Sequence, residues 1–219
     1  MSTPTPDPSA THATAAVEVQ GLTLKRGRWK TVLRNIELRV PEGAVLGLVG
    51  RNGAGKSSLI ECLVGLTVPD TGSCRLLGEP ATALSDAVRN RLGYVAQAPD
   101  LFDWLSGTGH LRRFGQAYRD FDPKRAQHLA AQWNLNMGLE SGKLSGGDQQ
   151  KLSVVLALAH DPDLLILDEP VASLDPLTRL GAHHLGQRSR HERRHRVPDL
   201  AEGRVHGAFK PEAVREALQ

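Results

Sequence analysis

The sequence predicts an α/β fold: a mainly parallel core sheet with helices, an N-terminal antiparallel β subdomain and a helical insertion. Three observations carry the prediction. Residues 17–24 (VEVQGLTL) and 32–40 (VLRNIELRV) alternate apolar and polar positions, as half-buried antiparallel strands do. Residues 44–49 (AVLGLV) and 164–167 (LLIL) are short unbroken apolar runs, as expected of parallel strands buried on both faces. Residues 102–137 carry scattered apolar positions on a helical period with charges between them.

The remaining elements follow in order. The run at 44–49 leads into the glycine-rich string GRNGAGKS at 50–57, and residues 57–66 (SSLIECLVGL) then have apolar residues at helical spacing. PDTG at 69–72 predicts a turn. LGYVAQ at 92–97 predicts a further strand, and KLSVVLALAH at 151–160 an apolar-rich helix leading to the second buried strand. Residues 1–16, with four threonines and three prolines but neither a positive n-region nor an apolar h-region, read as a disordered leader. Residues 17–219 then read as one domain, with the helical subdomain over about 98–145 and an irregular basic segment at 177–198.

GRNGAGKS fits the pattern GxxxxGK[ST] of a phosphate-cradling loop. Gly50, Gly53 and Gly55 let backbone N–H groups approach phosphate at a helix N-terminus, whose dipole favours anions. Lys56 adds a point charge for the β- and γ-phosphates, and Ser57 a hydroxyl for Mg²⁺. Asp168 follows four apolar residues, which puts a carboxylate at the carboxyl end of a parallel strand, where ligands of open α/β sheets bind. Ser145, Gly146 and Gly147 set a hydroxyl and two glycines at a helix start, a second place for an anion.

The ordered trio of GRNGAGKS, LSGGDQQK at 144–151 and LLILDEP at 164–170 resembles the ATP-binding cassette (ABC) ATPase family, a branch of the P-loop NTPases. The resemblance covers residues 16–177 well and the rest in part. It implies nucleotide binding by Gly50, Arg51, Asn52, Gly53, Ala54, Gly55, Lys56, Ser57, Ser58 and Gln97, with Mg²⁺ held by Ser57, Gln97 and Asp168. It implies that Glu169 is catalytic, polarising the attacking water, and that Ser145, Gly146, Gly147 and Gln149 close over ATP bound to a second subunit. SLDP at 173–176 matches the D-loop, with Asp175 at the dimer contact. The implied activity is ATP hydrolysis in a homo- or heterodimer that drives a separate membrane permease chain from the cytoplasmic face, with no nucleic acid partner. Asp100, Phe102, Asp103 and Trp104 are then candidates for contact with the permease.

Two departures from the family stand out. Where an aromatic residue usually stacks on adenine, this sequence has Arg26, with Trp29 nearby; a guanidinium plane can also stack on a base. After SLDP, residues 177–198 show no buried-strand run, and His183, His184, His191, His195 and His206 all lack the preceding apolar strand of a switch histidine. Residues 179–196 carry six arginines and one acid, a charge of +5 that leaves −2 of the net +3 for the rest. The segment reads as a solvated basic linker, as a contact with acidic lipid headgroups, or as the product of a deletion or frame error that replaced core strands. The alternative function is therefore a degenerate cassette that binds ATP and hydrolyses it poorly.

Composition limits the other classes. No apolar run reaches the roughly 18 residues of a membrane-spanning helix. Cys62 and Cys74 are too few for a disulfide framework and too far apart for metal-ligand spacing, so both read as packing residues of a reducing compartment.

Overall fold

The computed structural model describes residues 15–27, 30–48 and 50–168. Residues 1–14 of the leader expected at 1–16, Trp29, Glu169, Asp175, residues 177–198 and the five candidate switch histidines lie outside the described residues, whereas Ala15 and Ala16, expected to be disordered, are buried and open the first strand.

The two alternating segments form β1 (Ala15–Arg26) and β2 (Lys30–Pro41), antiparallel, with Val19 opposite Leu38. A third strand, β3 (Thr71–Leu76), pairs with the other edge of β1, and the two-residue β4 (Glu79–Pro80) completes a sheet of order β2-β1-β3-β4. The predicted turn at 69–72 is corrected here: Thr71 and Gly72 already belong to β3. Gly72 has φ +82, and a Cβ there would stand 2.4 Å from the Gln20 carbonyl, so glycine permits the close strand contact. Helix α1 (Lys56–Leu63) buries Leu59, Ile60, Cys62 and Leu63 against this sheet. It stops before Leu66, which is 68% exposed, so the apolar period overran the helix by three residues. Cys62 and Cys74 are free and buried in the same core, where burial pushes the Cys74 thiol up to about 12.

A short α2 (Asp86–Arg89) leads into β5 (Leu92–Val95), which pairs in parallel with β6 (Leu164–Leu167). Within β6 only Ile166 is buried, the other three residues being half-buried. The run at 44–48 forms no strand, contrary to expectation, and is half-buried. Apolar composition supplies burial, whereas a strand needs a ladder partner, and among the described residues nothing pairs with this segment.

The insertion contains α3 (Gly107–Phe114) and α4 (Pro123–Gln132), with the Ser106 and Asp122 side chains accepting from first-turn N–H groups. Helix α5 (Gly146–Leu158) starts five residues before the apolar segment that announced it. Leu152, Val155, Leu156 and Ala159 pack on Leu111, Ala126, Leu129 and Ala130 of the insertion. Val154 and Ala157 pack on Val95 of β5. A helix apolar on both sides is thus the wall shared by the parallel strands and the helical insertion. Just beyond it, buried His160 stacks on Tyr118 at 4.1 Å and holds the Leu92 carbonyl at 3.1 Å, and burial keeps its imidazole below the usual range.

Candidate functional site

Residues 50–55 form a loop with a tight turn, in which Ala54 N–H donates to the Arg51 carbonyl at 3.1 Å. Gly55 ends the loop as the N-cap of α1, at φ +98. A Cβ on it would stand 2.9 Å from Leu33 Cδ2 and 3.0 Å from the Val32 carbonyl. Gly55→Ala therefore costs about 1–2 kcal/mol for the left-handed backbone and about 1–3 kcal/mol for displacing β2. The expected result is a lower thermal midpoint together with loss of binding to a fluorescent ATP analogue; unchanged binding would show that the loop tolerates a side chain there.

Lys56 is the first residue of α1, and its ammonium donates to the Gly50 carbonyl at 3.0 Å and the Arg51 carbonyl at 3.4 Å. The charge thus stands over the mouth of the loop, beside the N-terminal N–H groups of the helix. Arg51, Asn52 and Gly53 are exposed, and Ala54, Ser57 and Ser58 are partly covered.

The decisive contact spans 111 residues of chain: Ser57 Oγ donates to Asp168 Oδ1 at 3.2 Å. Asp168 is 4% exposed and sits one residue past β6, its N–H donating to the Val95 carbonyl at 2.9 Å. It therefore occupies the carboxyl end of the parallel pair, as expected from the four apolar residues before it. Burial raises the neighbouring Tyr94 phenol, and the charges of Asp168 and Glu61 raise it further. A hydroxyl and a carboxylate oxygen side by side are a hard-oxygen donor pair that suits Mg²⁺, which binds through one or two carboxylates plus phosphate oxygens and retained waters. Among the described residues no cluster of three or more His, Cys, Asp or Glu forms a denser metal site. Gln97 follows β5 by two residues at the same carboxyl edge, where Val95 is in register with Leu167, and its side chain is exposed.

Ser145 caps α5, accepting from Asp148 N–H at 3.2 Å and donating to Asp148 Oδ2 at 2.9 Å. Ser145 and Gly146 are exposed, and a Cβ on Gly146 would meet nothing within 4 Å. Asp148, absent from the candidate residues, brings a carboxylate into this turn; bonds from Lys151 and Ser145 hold it below its usual range. Gln149 is placed differently from its three companions. Its amide donates back to the Ser141 carbonyl at 2.9 Å, so it braces the turn before α5. Among the described residues no hydrogen bond joins Ser145, Gly146 or Gly147 to the loop at 50–57.

Arg26 is ion-paired to Glu61 of α1 at 2.5 Å. Phe102 and Trp104 are 46% and 68% exposed, with ring centroids 5.8 Å apart. Their loop is fastened from below by two buried groups that the sequence pattern gave no signal for. Phe102 N–H donates to His110 Nε2 at 3.0 Å, which leaves the His110 proton on Nδ1, facing the Ser106 carbonyl at 3.0 Å. Ser141 Oγ donates to the Phe102 carbonyl at 2.8 Å. Beside Phe102 lies a groove of about 590 Å³ lined by Asp86, Arg89, Arg113, Tyr118 and Arg119.

The sequence profile of the family described as ABC transporter matches residues 33–172. The chain is 35% identical over 175 residues to the daunorubicin/doxorubicin resistance ATP-binding protein DrrA of Streptomyces peucetius, covering 77% of this chain and 52% of that protein. It is likewise 35% identical over 170 residues to the Nod factor export ATP-binding protein I of Rhizobium sp. (strain N33), covering 75% and 55%. The chain thus spans about half the length of these curated relatives. Among solved structures, the ATP-binding subunit of an ABC transporter superposes with a TM-score of 0.68 at 27% identity, covering 87% of this chain and 77% of the other. The dimeric cassette MJ0796, bound to ADP and Pi, shares the fold with a TM-score of 0.64 at 24% identity, covering 74% and 77%.

Proposed function

This chain belongs to the ABC transporter family, and from that premise we propose that it is an ATP-binding and ATP-hydrolysing subunit that dimerises on ATP to drive a membrane permease chain. The observation that carries the reading is the 3.2 Å contact between Ser57 and Asp168, which unites phosphate loop and strand-end carboxylate at one edge of the sheet. In this reading the N–H groups at 50–57 and Lys56 bind the β- and γ-phosphates, and Ser57 and Asp168, with Gln97 beside them, hold Mg²⁺. Mg²⁺ bound there supplies charge neutralisation at the β- and γ-oxygens. Glu169 orients and polarises the attacking water. Ser145, Gly146 and Gly147 complete the site of the second subunit, a reading supported by the exposure of Ser145 and Gly146 at the start of α5.

No described helix is long and apolar enough to cross a membrane; the proposed location, peripheral on the cytoplasmic face beside the permease, draws on the family match. The groove beside Phe102, with three arginines and one aspartate among its lining residues, suits an acidic or amphipathic segment of the permease. The relative named for Nod factor export supports outward transport. The alternative, a cassette that binds without turning over, draws on the family match ending at residue 172, before the expected D-loop and switch region.

Steady-state ATPase measurement on the chain beside Lys56→Ala, with gel filtration in MgATP, separates the readings. The expected result is turnover and an ATP-dependent dimer in the parent, and neither in Lys56→Ala. Binding without turnover, even with the permease present, selects the alternative.

A further inference from the structure

We propose that Gln150 is a positioning residue for ATP turnover: its side-chain amide ties helix α5, which begins behind Ser145, to the strand exit that carries Gln97. Gln150 is fully buried, and its Nε2 donates to the Ala96 carbonyl at 3.2 Å. Its Oε1 has no hydrogen-bond partner among the described residues. One turn further along the same helix face come Val154 and Ala157, packed on Val95. Packing alone would thus be met by an apolar side chain. A buried amide group left unsatisfied costs about 1–3 kcal/mol, so the Nε2 bond has to account for an amide at this position.

The atom that receives the bond explains its use. The Val95 carbonyl accepts from Asp168 N–H at 2.9 Å, and the next carbonyl, that of Ala96, accepts from Gln150. Consecutive carbonyls at the exit of β5 are therefore fixed by two different elements, the strand end that carries Asp168 and the helix capped by Ser145. Gln97 is the next residue in the chain. Ser145 lies five residues before Gln150, about 7.5 Å along a rigid helix axis. A displacement of the Gln97 backbone is thereby passed to the turn that faces the second subunit's ATP, and the reverse holds equally.

The kinetic arm of the test rests on the ATPase reading; the exchange arm does not. Gln150→Met fills a similar volume without a donor. Hydrogen exchange without nucleotide is expected to quicken at least fivefold in peptides spanning 92–101 and 143–151, while the peptide spanning 15–41 is unchanged. In a chain that hydrolyses ATP, kcat falls about tenfold and the Kd for a fluorescent ATP analogue stays within twofold. Gln150→Glu donates only when protonated, and burial raises a carboxyl above its ordinary range, so after correction for intrinsic rates its protection at both peptides, relative to the parent at the same pH, recovers as the pH is lowered through that carboxyl's titration. Parent-like exchange at both peptides in Gln150→Met, or parent-like kcat in an active chain, overturns the proposal. If the parent hydrolyses no faster than Lys56→Ala, the ATPase reading fails and exchange alone decides the tether. If Gln150→Met does not fold, the pH response of Gln150→Glu decides it.

Discussion

Asp168→Asn is expected to raise the Mg²⁺ concentration for half-maximal ATPase about 10–100-fold, the loss typical when a group that positions a metal is altered, while leaving the fold intact or firmer. The carboxylate is 4% exposed and its side-chain partner is the Ser57 hydroxyl at 3.2 Å. Among the described residues no lysine or arginine forms an ion pair with it. Taking a carboxylate out of water opposes folding unless it is paired, so a neutral amide of the same shape at this position is not expected to weaken the fold. Asparagine keeps the shape and can still accept from Ser57 through its carbonyl oxygen, but it removes the charge. A thermal midpoint at or above the parent's, together with a raised Mg²⁺ requirement, is the combined outcome to look for. An unchanged Mg²⁺ requirement would place the metal elsewhere, and a large loss of midpoint would make Asp168 a structural residue.

The parts of the fold legible in the sequence are those in which one local pattern has one physical outcome. Alternation gave β1 and β2, because a half-buried antiparallel strand hides every second side chain. Ser145 before Gly146 gave the start of α5, because a serine hydroxyl satisfies a free first-turn N–H. The run at 44–48 misled, since its apolar residues are compatible with any half-buried path and the ladder depends on partners distant in the chain. β3 was missed because TGSCRL opens with small and polar residues and shows only Cys74 and Leu76 to the core. In the site, Ser57 and Asp168 could be named from motif position, but only tertiary structure sets them within reach of each other. Gln150, His110 and Ser141 carried no signal. A polar residue in a sequence announces solvent more often than a buried hydrogen bond, and the bond becomes visible only once its partner carbonyl is placed.

Glu169→Gln is expected to leave ATP binding within about threefold of the parent and to lower kcat by about 10²–10⁴-fold, the range for loss of a positioned general base. Glutamine has the size of glutamate and can still hold a water molecule, but its neutral amide neither polarises that water nor takes its proton. Asp168, one residue earlier in the sequence, is fastened at its N–H to Val95 and at its carboxylate to Ser57. The two substitutions separate the two tasks proposed for these adjacent acids. Asp168→Asn shifts the Mg²⁺ requirement, whereas Glu169→Gln leaves it unchanged and arrests the step after binding. On the proposed reading, in which uncleaved ATP joins two subunits, gel filtration in MgATP should show a dimer that persists in Glu169→Gln and decays with turnover in the parent. Hydrolysis at the parent rate in Glu169→Gln would assign water activation to another group. A dimer that fails to form despite ATP binding would separate nucleotide capture from closure, and would direct attention to Ser145, Gly146 and Gly147.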